Sequence, residues 1–267
     1  MPELPEVETI ARGLDPLVRG RKIENVEIRW DRTVDTRSIP LDTLVGDAIE
    51  SVGRLGKFVA ISLNSGRTLT IHLRMTGRLT VVRADTEVPY ERLALGFRGS
   101  DKLSFADARK FGRIRLVNEL SADVLGVGID ALADALDVKA FTNILRKRTT
   151  PVKTLLLDQK RIAGIGNIYA NEALFKARVR PRRPAGRLSE RERRALLAAL
   201  RRVLLRAIDS RGSSVDDYVD AEGLPGDFQK KLNVYGRAGL PCRRCRTPIK
   251  RIVLGQRGTF YCPACQR

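Results

Sequence analysis

All four cysteines fall near the C-terminal end as two pairs, Cys242-x-x-Cys245 and Cys262-x-x-Cys265, with sixteen residues between the pairs. Two such knuckles on a β-hairpin bring four thiolates into a tetrahedron, which suits one zinc ion. Four protein ligands leave no open coordination position, so the implied metal is structural. Between the knuckles, Leu254-Gly255-Gln256-Arg257-Gly258-Thr259 reads as a hairpin tip that presents Arg257, a side chain suited to a phosphate.

The opposite end offers a different chemistry. Pro2 follows the initiator Met1, and a small second residue permits removal of that methionine, which exposes a secondary amine. An α-amine has a reference pKa of about 8, against about 10.4 for lysine, so more of it is neutral near pH 7. Such an amine can attack an electrophilic sugar carbon and form an iminium ion. Glu3 and Glu6 are then the neighbouring acids for proton transfer. The single histidine, His72, excludes a multi-histidine metal site. It lies on the polar phase of the alternating run Leu69-Thr70-Ile71-His72-Leu73, where an outward-facing or a phosphate-contacting position is expected rather than a catalytic one.

Lys and Arg total 50 against 31 Asp and Glu in 267 residues, a net charge of +19. An excess of that size calls for a polyanionic partner, and the clusters at Arg146 to Arg148, Arg178 to Arg187 and Arg191 to Arg206 suit phosphate backbones. No apolar stretch approaches the roughly 18 residues that span a membrane. The acidic opening segment lacks a secretory signal, so a cytoplasmic location is expected. A disulfide framework would be out of place there.

The elements that must position these groups change type midway. Val7 to Leu17 has helical spacing, with Ile10 and Leu14 on one face. From Lys22 to Val117 short alternating runs predict strands. They include a hairpin of Lys57 to Leu63 and Thr68 to Leu73, then runs at Leu79 to Val82, Ala94 to Phe97 and Lys102 to Phe105. Strands at such spacing suggest a β-sandwich. Helical periodicity follows at Asp137 to Arg148, Pro151 to Leu157 and Asn167 to Lys176, and behind the capping box Ser189-Glu190-Arg191-Glu192. The stretch from Ser213 to Gly226 reads as a long functional loop.

Together these residues resemble the bacterial formamidopyrimidine-DNA glycosylases. The likeness begins with Met1-Pro2-Glu3-Leu4-Pro5-Glu6-Val7-Glu8-Thr9 and continues through Gly56-Lys57, His72-Leu73-Arg74-Met75-Thr76-Gly77 and Asp107-Ala108-Arg109-Lys110-Phe111-Gly112. It runs on through Gly164-Ile165-Gly166-Asn167-Ile168-Tyr169 and Val234-Tyr235-Gly236-Arg237 to the cysteine pairs, close to the full length. The resemblance implies that Pro2 attacks C1′ of a damaged nucleotide, that Glu3 protonates the sugar and that Lys57 assists near the phosphates. It makes Met75, Arg109 and Phe111 the wedge that fills the gap left by an extruded base, with Arg109 facing the orphaned cytosine. Asn167 and Arg257 become phosphate clamps, and Arg148, Lys153 and Tyr235 fall in phosphate-contacting segments.

Three departures from the family pattern stand out. Tyr90 takes the place of a common phosphate-contacting histidine and is followed by Glu91, an acid unhelpful beside DNA. Ala108 replaces a proline, which should loosen the wedge loop, and Gly126 to Asp130 lacks a usual Gly-Pro turn. The expected α+β architecture is a catalytic β-sandwich (1–118), a linker (119–136), a helical domain with a helix-two-turn-helix (137–235) and a zinc-ribbon finger (236–267). Double-stranded DNA bearing oxidised or abasic sites is the expected partner, held by a monomer in a basic cleft. The expected activity is excision of oxidised purines through a Pro2 Schiff base, followed by β,δ-elimination. The alternatives are an endonuclease VIII-like enzyme acting on pyrimidine lesions and a non-catalytic damage-binding protein.

Overall fold

The computed structural model describes residues 1–215 and 218–267. Positions 216 and 217, within the loop expected to be functional, lie outside the described residues. The chain divides into two compact units, Met1–Leu125 with Ser210–Asp227, and Gly126–Asp209 with Phe228–Arg267. The segment 210–227, placed by sequence within the helical stretch 137–235, thus groups with the N-terminal unit.

The first unit opens with helix α1 (Leu4–Val18), earlier than the periodicity alone suggests. Glu3 is its N-cap and forms a capping box with Glu6, so the acidic opening is itself the helix start. Glutamate is not among the favoured N-cap types, which explains why the boundary was not legible. Val7, Ile10, Ala11, Leu14 and Val18 form the buried stripe of α1.

Eight strands follow: β1 (Ile23–Ile28), β2 (Ile49–Leu55), β3 (Phe58–Leu63), β4 (Thr68–His72), β5 (Arg78–Arg83), β6 (Glu91–Phe97), β7 (Asp101–Ala106) and β8 (Arg113–Val117). They pair antiparallel as two four-stranded sheets, ordered β1-β6-β7-β5 and β2-β3-β4-β8. Their inner faces share one apolar core with α1, the β-sandwich expected from the strand spacing. Two ties fix α1 to β2: Arg54 Nε donates to Glu8 Oε2 at 2.7 Å, and Val52 N donates to Asp15 Oδ1 at 2.6 Å. A short helix, α2 (Ala122–Leu125), ends this stretch.

The second unit contains β9 (Ile129–Asp130), α3 (Val138–Leu145), α4 (Val152–Leu156), β10 (Ile162–Ala163), α5 (Asn167–Lys176), α6 (Glu190–Ile208), β11 (Lys250–Leu254) and β12 (Arg257–Tyr261). Helix α3 is capped by Asp137 as expected but stops before Arg146, and Lys147 adopts a positive φ of 58°. Strands β9 and β10 pair in parallel, and a Cβ on Gly128 would come within 2.2 Å of the Arg161 backbone. That close approach, rather than a proline turn, shapes the segment where the family pattern is broken. Helix α6 carries the expected Ser189–Glu192 capping box. Among the described residues, no helix is long and apolar enough to cross a membrane.

Candidate functional site

In the first unit, Pro2, Glu3 and Glu6 are all buried at the start of α1. Pro2 and Met75 line one small hollow together with Tyr218. The sequence places Glu6 beside Glu3 as a proton-transfer acid, but the structure gives it another task. Its Oε2 accepts the Glu3 N–H and its Oε1 accepts the Ser213 N–H, each at 2.8 Å. Glu6 therefore acts as an acceptor that joins the N-terminus to the 210–227 segment. A Cβ on Gly212, whose φ is +78°, would lie 2.8 Å from Glu6 Oε1, so glycine is required there. Burial, and then the Glu6 charge, push the Tyr218 phenol well above its ordinary value, so it stays protonated beside this carboxylate.

Lys57 is buried at the start of β3, after Gly56 turns the β2–β3 hairpin with a φ of 59°. His72 is not outward-facing in the expected sense. It does point away from Leu69 and Ile71, but that face is covered, and the residue is only 8% exposed, its ring packed against Phe58 with centroids 4.7 Å apart. Burial, followed by the charges of Arg74 and Lys57, lowers its pKa to about 3. Its Nδ1 accepts the Arg74 N–H at 3.1 Å, which puts the proton of the neutral ring on Nε2. A neutral imidazole with an Nε2–H donor can still bond a phosphate oxygen.

Met75 and Phe111 are exposed apolar side chains, 37% and 48%, on two separate loops. The Arg109 guanidinium stacks 4.9 Å from the centre of the Phe111 ring. Sequence reasoning missed the residue that organises them, Asp107, which is 1% exposed. Its Oδ1 accepts from Thr76 Oγ1 at 2.5 Å and from Arg109 N at 3.2 Å, and its Oδ2 accepts from Gly112 N at 2.7 Å. Its own N–H donates to the Tyr90 carbonyl, and its carbonyl accepts from Arg92 Nε. The loop expected to be loosened by Ala108 is thus held by a carboxylate at its base. An aspartate between the end of a strand and a glycine was the available signal.

Tyr90 is 64% exposed with a φ of 62°. Glu91, expected to be unhelpful, is buried and neutralised: Lys102 Nζ lies 3.3 Å from Oε1 and Arg29 lies 3.1 Å from Oε2. It belongs to the sheet and presents no bare charge.

In the second unit, Gly166 is the N-cap of α5 and Asn167 its first helical residue. Lys153 is fully buried, contrary to a direct phosphate contact. Its ammonium donates to Asn167 Oδ1 at 2.6 Å, Thr259 Oγ1 at 2.7 Å and the Gly258 carbonyl at 3.0 Å. Asn167 Nδ2 also donates to the Gly258 carbonyl at 3.1 Å. Lys153 therefore fixes Asn167 against the finger hairpin. Two further buried residues of α5 share this work. Asn171 Oδ1 accepts the Phe260 N–H at 2.8 Å, and Glu172 Oε1 accepts the N–H groups of Val234 and Tyr235 at 2.8 and 3.0 Å. A run of Asn and Glu inside an otherwise apolar helix was their only mark in the sequence. Tyr235 packs edge-on against Phe260, with centroids 5.2 Å apart. Arg148 is exposed just beyond α3.

Strands β11 and β12 pair from Lys250↔Tyr261 to Leu254↔Arg257, leaving a two-residue turn in which Gly255 and Gln256 have φ of 53° and 59°. Positive φ at both central residues is the type I′ geometry that suits a tight hairpin. Arg257 stands exposed at its tip. Below it, the Sγ atoms of Cys242, Cys245, Cys262 and Cys265 all lie within 4.8 Å of one another. Four sulfurs at about 2.3 Å from one zinc would be about 3.8 Å apart. The contacts Cys242–Cys265 at 4.0 Å and Cys245–Cys262 at 3.4 Å match that spacing. Backbone N–H groups of Arg244 and Cys265 point at Cys242 and Cys262 Sγ, as expected for thiolate ligands. These residues fit one structural zinc.

Comparison with known proteins agrees with this geometry. Residues 1–114 match the formamidopyrimidine-DNA glycosylase N-terminal domain, 127–219 match the H2TH domain of the same family, and 239–267 match a zinc finger found in FPG and IleRS. A formamidopyrimidine-DNA glycosylase of Chloroflexus aggregans is 45% identical over 100% of this chain and 98% of its own length. The MutM (FPG) crystal structure from Thermus thermophilus superposes with a TM-score of 0.88 at 42% identity, covering 99% of this chain and 98% of that one. A Lactococcus lactis FPG variant complexed with Fapy-dG containing DNA gives a TM-score of 0.90 at 34% identity, covering 100% of both chains.

Proposed function

Because the chain belongs to the formamidopyrimidine-DNA glycosylase family, we propose that it excises oxidised purines, 8-oxoguanine and formamidopyrimidines, and then cleaves the abasic strand. The observation that carries this reading is the burial of Pro2 and Glu3 at the N-terminus of α1, beside Met75. After removal of Met1, the Pro2 nitrogen attacks C1′, the glycosidic bond breaks and the amine proton leaves with the base. The nitrogen lone pair then opens the sugar while Glu3 gives a proton to the ring oxygen, leaving an iminium between Pro2 and C1′. Loss of the C2′ proton expels the 3′ phosphate, loss of the C4′ proton expels the 5′ phosphate, and water hydrolyses the iminium to free Pro2 and the unsaturated sugar fragment, which leaves a one-nucleotide gap.

The remaining residues bind and position. Met75, Arg109 and Phe111 fill the stack in place of the extruded nucleotide, with the Arg109 side chain set against the widowed base. Lys57, neutral His72, Tyr90, Arg148, Asn167, Tyr235 and Arg257 contact the phosphate backbone, while Glu6 and Lys153 hold their neighbours in place. Zinc supplies rigidity to the hairpin that carries Arg257, and no bond is made or broken on it.

Borohydride reduction on 8-oxoguanine duplex DNA tests the proposal. A covalent adduct located at Pro2 by mass spectrometry is expected. An adduct on another residue, or none with a processed N-terminus, overturns the mechanism. Faster excision of thymine glycol than of 8-oxoguanine would instead favour the pyrimidine-lesion reading.

A further inference from the structure

Trp30 is the only tryptophan of the chain, and its half-buried side chain meets the loop that carries Arg109 and Phe111. Lys110 Nζ sits 4.0 Å from the centre of a Trp30 ring, the distance of a cation held on a π-face. The residues on either side of Lys110 pack on each other, the Arg109 guanidinium against the Phe111 ring. The middle residue of the three thus has a different partner, one contributed by the segment after β1.

That partner stands on a fixed base. Before it, Arg29 N donates to the Arg92 carbonyl of β6 at 2.9 Å. After it, Thr33 N donates to the Trp30 carbonyl at 2.9 Å, and the buried Thr33 Oγ1 donates to the Gly112 carbonyl at 3.3 Å. Val34 bridges Ile114, and Asp35 N donates to the Ile114 carbonyl at 2.8 Å, so this segment runs beside the start of β8. Arg32 also approaches the indole, at 5.9 Å, but from the same segment, so it adds no tie to the loop.

Lys110 needs a hold of this kind. Its φ of 61° lies in the left-handed region, which a residue with a Cβ keeps only where its surroundings impose it. The Asp107 carboxylate ties the loop at Arg109 N and Gly112 N, on either side of Lys110. Arg113 Nη1 donates to the Lys110 carbonyl at 3.4 Å. Those bonds hold backbone, and the indole holds the Lys110 side chain. We propose that Trp30 is a positioning residue for the wedge. By seating the Lys110 ammonium it fixes the backbone turn between Arg109 and Phe111, and with it the angle at which those two side chains meet DNA. The proposal rests on the reading of Arg109 and Phe111 as the pair that fills the stack.

Single-turnover excision of 8-oxoguanine opposite cytosine, at saturating zinc-loaded full-length protein, tests it together with intrinsic fluorescence. Lys110→Met should shift the emission of the single tryptophan in the free protein. Trp30→Leu should slow excision about two- to fivefold, the worth of one exposed cation–π pair. Lys110→Met should slow it equally, and the double variant no further. Trp30→Phe keeps a ring face and should restore most of the rate. Unshifted emission in Lys110→Met would overturn the contact. Additive losses in the double variant would also overturn the proposal, since Trp30 would then support the fold and Lys110 would act on DNA by itself. Failure of Trp30→Phe to do better than Trp30→Leu would do the same. Unchanged excision in Arg109→Ala with Phe111→Ala would overturn the wedge reading and this proposal with it, a result separable from the others because the emission shift needs no DNA.

Discussion

Thr76 Oγ1 donates to Asp107 Oδ1 at 2.5 Å, and this contact joins the loop carrying Met75 to the loop carrying Arg109 and Phe111. The loops of the three side chains proposed to enter the DNA stack are therefore tied through one carboxylate. Asp107→Asn places an amide N–H against the donors it now satisfies, and Thr76→Val removes one of those donors. Leaving a buried group unsatisfied costs about 1–3 kcal/mol. A double-mutant cycle on thermal unfolding should show coupling of about 0.5–3 kcal/mol, with excision reduced in both single variants. Strictly additive effects would mean that the two loops are independent.

His72 is the only histidine, so its ring resonances report one site. With its pKa lowered from 6.5 to about 3, it should stay neutral from about pH 8 down to about pH 4 in the folded protein. The sign follows from linkage. The unfolded chain binds a proton below about pH 6.5 that the folded chain refuses, so the stability this site contributes is full above that pH. It is lost as pH falls towards 3. His72→Gln should flatten the acid limb of the stability curve. A ring titrating near 6.5 in the folded state would contradict the burial argument.

Lys153 and Arg257 are both cations of the second unit, yet they should behave oppositely. Removing the buried Lys153 ammonium as Lys153→Met strands three acceptors and should cost on the order of 3 kcal/mol of stability. Arg257→Ala, at an exposed hairpin tip, should leave stability unchanged and reduce the salt slope of DNA binding by about one. Should Lys153→Met lower that slope equally, the lysine contacts phosphate directly.

Metal removal should act through the hairpin. Two strands alone are marginally stable in water, so β11 and β12 depend on the four-cysteine centre beneath them. Chelation should release one zinc per chain and weaken DNA binding strongly, while the β-sandwich unfolds at its usual temperature. Unchanged affinity in metal-free protein would remove the finger from the binding surface.

The sequence by itself determined whatever depends on short-range pattern. Cysteine spacing fixed the metal centre, alternation fixed most strands, and the Ser189–Glu192 box fixed the start of α6, because each is decided within a few residues. Only the tertiary structure decided what distant neighbours do to a side chain. Alternation put His72 on a polar face but could not show that Phe58 covers it. The family resemblance put Lys153 in a phosphate-contacting segment, though two of its three acceptors lie more than a hundred residues away in the finger hairpin. Glu6 and Asp107 became positioning groups through contacts with Ser213 and Thr76. Burial and hydrogen-bond partnership are set by chain segments remote in sequence, and a linear reading contains no term for them.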